Sequence, residues 1–199
     1  SEALVHAWGG RGASVGTNPI GIGVPTMGEP LVLDMSTASV SMGKILDYAA
    51  TGRPLQPGWA VDALGRPTID AVSAAQGGAI SPFGGPKGYA LGIALEALVG
   101  TLTATAFGTE VVGTLDTEFP ATKGDLLISV SLERLGLAGM LPALTGYLNQ
   151  VRDSGVAGPA DVPGDRARRT REGRATDGVP IDDDVWALAL KYAEGLSHD

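Results

Sequence analysis

Cysteine is absent from all 199 residues, and histidine occurs only twice, as His6 and His198. The first absence removes disulfide frameworks, thiolate metal centres and a cysteine nucleophile. The second, with no HExxH spacing, leaves no ligand set for a zinc site, and no metal is expected. Long apolar runs are missing too. Stretches such as Tyr89 to Val99 are too short to span a bilayer and are interrupted by Gly92 and Glu96. No basic start followed by an apolar centre marks a leader peptide, so a cytoplasmic location is expected. Basic residues are in the minority, 14 against 22 acidic ones, for a net charge of −8. That balance argues against nonspecific binding to nucleic acid or to an anionic membrane surface. The chain contains neither a GxGxxG between a strand and a helix nor a Walker A loop, so neither a standard Rossmann fold nor a P-loop is supported.

What is present is a core-forming share of apolar residues, 44%, cut into short elements by 30 glycines and 13 prolines. This is the texture of an α/β chain rather than of a helical bundle. Ile20 to Val24 and Leu31 to Leu33 read as strands. Val40, Ile45, Leu46 and Ala49 fall near helical spacing, so a helix is expected over Val40 to Ala50. Residues 53 to 86 form a long connection with only small elements of its own. Lys87 to Leu98, opened by Pro86 and apolar on nearly every side, predicts a buried core helix. Leu126 to Ser131 alternates like a strand, and Leu141 to Arg152 reads as a helix. Half of the ten arginines lie between Arg166 and Arg174, with few large apolar neighbours, which predicts an exposed arm or loop. A last helix begins at the acidic cap Asp182 to Asp184. The expected organisation is therefore an α/β domain over 1–155, followed by an arginine-rich arm and terminal helix over 156–199.

Two segments carry candidate chemistry. Gly84-Gly85-Pro86-Lys87-Gly88 sets free backbone N–H groups, the positive end of a helix and a lysine at one place, which suits a phosphate or carboxylate. The same residues also make an ordinary turn before a helix. Leu33-Asp34-Met35-Ser36-Thr37 delivers an acid and two hydroxyls to a strand end, a way of holding ribose hydroxyls. The alternative is that Ser36 or Thr37 caps the following helix, and spacing alone favours the cap.

The order of several segments resembles the malate/L-lactate dehydrogenase type-2 family. Gly16-Thr17-Asn18-Pro19-Ile20, Leu33 to Thr37, Gly43-Lys44-Ile45 and Pro57 to Asp62 are similar to consecutive signatures of that group. Gly65 to Asp70, Gly84 to Tyr89 and Pro163-Gly164-Asp165-Arg166 continue the series. The resemblance implies a non-Rossmann α/β fold, a mixed sheet with packed helices, and usually a dimer. It further implies reduction of a 2-oxo acid or cyclic imino acid with NADH or NADPH, and thus a small-molecule substrate.

Carried over, Asp34, Met35, Ser36, Lys87, Pro163, Gly164 and Asp165 would contact the cofactor, and Thr17 the substrate. Ser1 falls where the family places a serine beside the cofactor. Lys44 replaces an acid that completes the proton relay of the ketimine reductases, and Lys123-Gly124-Asp125-Leu126 replaces a Gly-His. The family's proton-donating histidine belongs to an amino-terminal part outside this sequence, matched by neither His6 nor His198, so a companion segment or chain is expected. The arginine cluster is either a solvated arm or a site for the 2′-phosphate of NADP. A separate reading takes Ser1, if produced by autoproteolytic processing, as an N-terminal nucleophile of an amidase or acyltransferase that needs no cofactor. A third is a non-catalytic structural partner.

Overall fold

The computed structural model describes residues 1–116 and 118–195; His198 lies outside the described residues. Contacts divide the chain into two units, one of 1–22 and 33–139 and one of 23–32 and 140–199.

The first unit is built on strands β1 (Ala3–His6), β2 (Ala13–Gly16), β5 (Ala60–Val61), β6 (Pro67–Thr68) and β7 (Ala79–Ile80). They lie in the order β2-β1-β7-β5-β6. The sheet is mixed, with β1 parallel to β7 and the other pairs antiparallel. Val5 faces Ile80 across the parallel pair. Both are buried, together with Val15, Ala38, Val40, Ile45, Leu55, Ala60, Ala71 and Ala74 in one core cluster. Burying a branched side chain such as Ile45 or Ile80 contributes about 2–3 kcal/mol, so this small cluster carries much of the unit's stability.

Two further strands, β3 (Ile20–Val24) and β4 (Leu31–Met35), pair as a hairpin. Both match the expected strands. Helix α1 spans Met42–Ala50, and its cap is Ser41, whose Oγ accepts from Lys44 N–H. The cap expected at Ser36 or Thr37 is therefore corrected by several residues. Ser36 Oγ instead accepts from Ala38 N–H and Thr37 is buried, so these hydroxyls serve the segment before the helix. Ser41→Ala should cost about 1 kcal/mol, read as a lower urea midpoint at unchanged slope.

The connection over 53–86 does contain only small elements. Asp62 accepts from Leu64 and Arg66 N–H to close the β5–β6 turn, and Asp70 caps α2 (Ala71–Ala75). The donated N–H of Arg66 is the first cause that holds the Asp62 carboxyl below its usual range. Two of the family-like segments are thus a turn and a cap.

Helix α3 (Pro86–Thr103) is longer than expected and is not a buried core helix. Its buried residues are Gly88, Gly92 and Gly100, whereas Leu91, Ile93, Leu98 and Leu102 are exposed. A helix apolar on all sides has no single preferred face, and the glycine edge wins because it allows backbone-close packing. A Cβ on Gly92 would stand 2.9 Å from Thr37 Oγ1, and one on Gly100 2.5 Å from the Phe107 ring. Residues 126–131 form no strand: Leu127 is 94% and Ile128 80% exposed, with no ladder partner among the described residues.

The second unit holds α4 (Leu141–Asp153), α5 (Asp165–Asp177) and α6 (Asp183–Gly195). The arginine-rich stretch is a helix, not a loop. Its order comes from ion pairs rather than burial, with Arg168 reaching both Asp165 and Glu172 one turn away, and Arg169 paired with Asp161. No helix among the described residues is long and apolar enough to cross a membrane.

Candidate functional site

Three of the singled-out segments meet at one buried threonine in the first unit. Thr37 donates to the Thr17 carbonyl twice, from its N–H at 2.8 Å and from its hydroxyl at 3.0 Å. Its own carbonyl accepts from Phe83 N–H at 3.0 Å. Ala38 bridges Pro82 in antiparallel register, and Ser39 N–H donates to Ser81 O. The strand end at Asp34–Ser36, the Thr17 turn and the approach to Lys87 are therefore held as one backbone frame. The sequence offers Thr37 as a strand-end hydroxyl for a ribose or as a cap, and no local spacing distinguishes either role from this one.

At the start of α3, Gly84 and Gly85 take positive φ, Pro86 opens the helix, and no side chain caps it. The first N–H groups are left for a ligand or water. Lys87 is exposed and forms no ion pair among the described residues. The Trp8 ring lies against Gly85, where a Cβ would stand 3.0 Å from it, and Trp8 itself is half exposed. Nothing in the sequence had drawn attention to Trp8. Asp34 is exposed on β4 and makes no ion pair among the described residues, which leaves it as an acceptor; Met35 and Ser36 follow it, both half-buried.

The Thr17 turn is tightly fixed. Asn18 takes φ +36°, a left-handed value that asparagine tolerates better than most residues. Its N–H donates to Ser1 Oγ, and Ser1 Oγ and Thr17 Oγ1 share a hydrogen bond of 3.0 Å. Gly16 has no room for a side chain, since a Cβ would stand 2.6 Å from the Ser1 carbonyl oxygen.

Other candidates are placed apart from this frame. Lys44 is exposed on α1, with its ammonium over the rings of Trp59 and Tyr48, 5.2 and 5.9 Å from their centroids. Lys123 pairs with Asp125. His6 is buried: Nδ1 donates to Ala7 O, and Nε2 shares a hydrogen bond with the Ser81 hydroxyl. Among the described residues no group of His, Asp and Glu is arranged to hold a metal ion.

In the second unit, Pro163 O accepts from Val32 N–H, and Gly164 takes φ +103°. The Asp165 carboxylate is already committed to Arg152, Arg168 and Val162 N–H. It acts on its own turn rather than as a free acceptor. Arg166, Arg171 and Arg174 line an open groove of about 740 Å³ with Thr170 and Val179.

Comparison with known proteins extends this picture over nearly the whole chain. The profile of the family described as malate/L-lactate dehydrogenase matches residues 1–189. An L-sulfolactate dehydrogenase of Methanothermobacter thermautotrophicus is 35% identical over 197 residues, 98% of this chain and 57% of the relative. A Δ1-pyrroline-2-carboxylate/Δ1-piperideine-2-carboxylate reductase of Pseudomonas aeruginosa is 36% identical over 198 residues, 95% of this chain and 58% of the relative. Among solved structures, a dehydrogenase from Sinorhizobium meliloti superposes with a TM-score of 0.87 at 46% identity, over 94% of this chain and 56% of that one. The chain thus spans somewhat more than half the length of the relatives it matches.

Proposed function

The chain belongs to the malate/L-lactate dehydrogenase family, and from that premise we propose that it carries the cofactor cradle of an NAD(P)H-dependent reductase of 2-oxo acids or cyclic imino acids. The observation that carries the reading is the frame around Thr37, which holds Asp34 and an uncapped helix start with Lys87, neither ion-paired among the described residues, together with the Thr17 hydroxyl.

The residues present fit a dinucleotide. The uncapped N–H groups of α3 and the Lys87 ammonium favour phosphate oxygens. The exposed Asp34 carboxylate accepts from ribose hydroxyls, and Ser36 can add a hydroxyl contact beside it. When bound, the nicotinamide supplies hydride to the carbonyl or imine carbon. The Thr17 hydroxyl, oriented by Ser1, donates to the substrate, with its rotation limited by the shared hydrogen bond. Pro163 and Gly164, which the family resemblance also assigns to the cofactor, lie in a turn of the second unit locked by Asp165. His6 is engaged with Ala7 and Ser81 and is not assigned as the proton donor.

The relatives named above act on sulfolactate and on pyrroline or piperideine carboxylates, and they define the substrates to try. Oxidation of NADH and NADPH should be followed with oxaloacetate, sulfopyruvate and Δ1-pyrroline-2-carboxylate. Lys87→Met keeps the stem and removes the charge. It should weaken NAD(P)H binding about 10–100-fold, as expected for one charge-assisted phosphate contact. Unchanged affinity in a titration of nucleotide fluorescence would remove Lys87 from the cradle.

A further inference from the structure

The buried edge of α3 repeats every fourth residue as Gly88, Gly92, Glu96 and Gly100. Three members are bare backbone, and the fourth is a carboxylate. Both of its oxygens accept from N–H donors on two other segments of the first unit. Glu96 Oε2 accepts from Gly16 N–H at 2.9 Å and from the Asn18 side-chain amide at 2.8 Å, while Oε1 accepts from Gly108 N–H. The same Asn18 amide donates to Gly92 O at 3.0 Å, one turn earlier on α3. Glu96 therefore holds both neighbours of Thr17, whose own carbonyl is pinned by Thr37.

We infer that Glu96 is the positioning residue of the substrate turn, setting the direction of the Thr17 hydroxyl without touching the substrate; this rests on Thr17 being a substrate contact. A carboxylate is required because it accepts at both oxygens and donates at neither. Glutamine would turn an NH2 toward Gly16 or Gly108 N–H and break one link. A carboxylate close to an anionic 2-oxo acid would repel it, but here three N–H dipoles face the charge. Glu96 lies nine residues from Lys87, about 13 Å along a helix, so one rigid element sets the spacing between the phosphate contact and the substrate turn.

The test is a double-mutant cycle on the protein, with whichever of oxaloacetate or Δ1-pyrroline-2-carboxylate is turned over. Thr17→Ala and Glu96→Gln should each raise the substrate KM about tenfold, with the NAD(P)H dissociation constant unchanged. The double variant should be no worse than Thr17→Ala alone, because both changes remove the same oriented hydroxyl. Asn18→Gly, which keeps the left-handed backbone accessible and removes only the amide, should reproduce the KM effect if Glu96→Gln folds poorly. A normal KM in Thr17→Ala would overturn the substrate reading and this inference with it. A raised KM in Thr17→Ala, together with normal values in Glu96→Gln and Asn18→Gly or with effects that multiply in the double variant, would overturn the role of Glu96 alone.

Discussion

Gly88→Ala is expected to destabilise the first unit by about 3 kcal/mol or more, beyond the usual range for overpacking, and to weaken nicotinamide nucleotide binding at the same time. A Cβ at Gly88 would stand 1.9 Å from the Phe83 carbonyl oxygen and 3.0 Å from the Phe83 ring. The first obstacle is backbone, which no rotamer change relieves. Phe83 N–H is the group bonded to Thr37 O, and Thr37 in turn holds Thr17, so any retreat of residue 83 is passed on to the frame of the proposed cradle. Gly146→Ala provides the contrast, since Gly146 lies in α4 with open space around its would-be Cβ. Alanine there should be neutral or stabilising by about 0.5–1 kcal/mol through helix propensity. Thermal midpoints and NADPH titrations on the two variants separate the cases. Equal behaviour would show that Gly88 is ordinary helix glycine and that the packing of α3 does not support the cradle.

Local pattern identifies the elements that carry an apolar signal of their own. Ile20–Val24, which alternates with glycine, and the apolar run Leu31–Leu33 lie in strands, and Leu141–Asp153 repeats at helical spacing and is a helix. Helix α5 escaped because its order owes nothing to an apolar face: charges at i, i+3 and i+4 do the work, and such a stretch reads as solvated polymer. The run at 126–131 has the composition of a strand, but a strand needs a partner, and none is supplied among the described residues. Helix α3 was found by its apolar residues and misread for the same reason, because its contacts are made by the glycines between them.

The site divides along similar lines. Lys87, Asp34 and Thr17 stand in contiguous motifs and could be singled out by residue type. Glu96 could not, and Thr37 was visible only as one hydroxyl of its motif, since their partners lie 12 to 80 residues away. The one local trace of Glu96 was its place in a four-residue repeat of glycines, a spacing that speaks of helix packing before it speaks of function.

Asp165→Asn should cost the second unit about 2–4 kcal/mol at neutral pH and remove most of its stability change between pH 4 and pH 2. Asp165 is 4% exposed and receives Arg152 Nε at 2.8 Å, Arg152 Nη2 at 3.0 Å, Arg168 Nη2 at 2.9 Å and Val162 N–H. The Arg152 guanidinium is the largest influence on the carboxyl, and with Val162 N–H and Arg168 it outweighs the opposing effect of burial and lowers the pKa from 3.8 to about 2. A depressed pKa in the folded state means that the stabilisation is complete above the unfolded value near 4 and is lost as pH falls through about 2. The displacement corresponds to roughly 2 kcal/mol, a large share of a small unit's margin. Urea unfolding of the two proteins, followed at pH 7, 4 and 2.5, should give curves that converge as the pH falls. A constant gap across that range would show that the ion pairs do not set the acid response. Asp161→Asn, whose pair with Arg169 stands in solvent, should leave the curves where they were. The position of Asp165 gives this stability a functional side. The carboxylate closes the turn that carries Pro163 and the left-handed Gly164, so that turn loses its brace over the same pH range in which Asp165 is protonated.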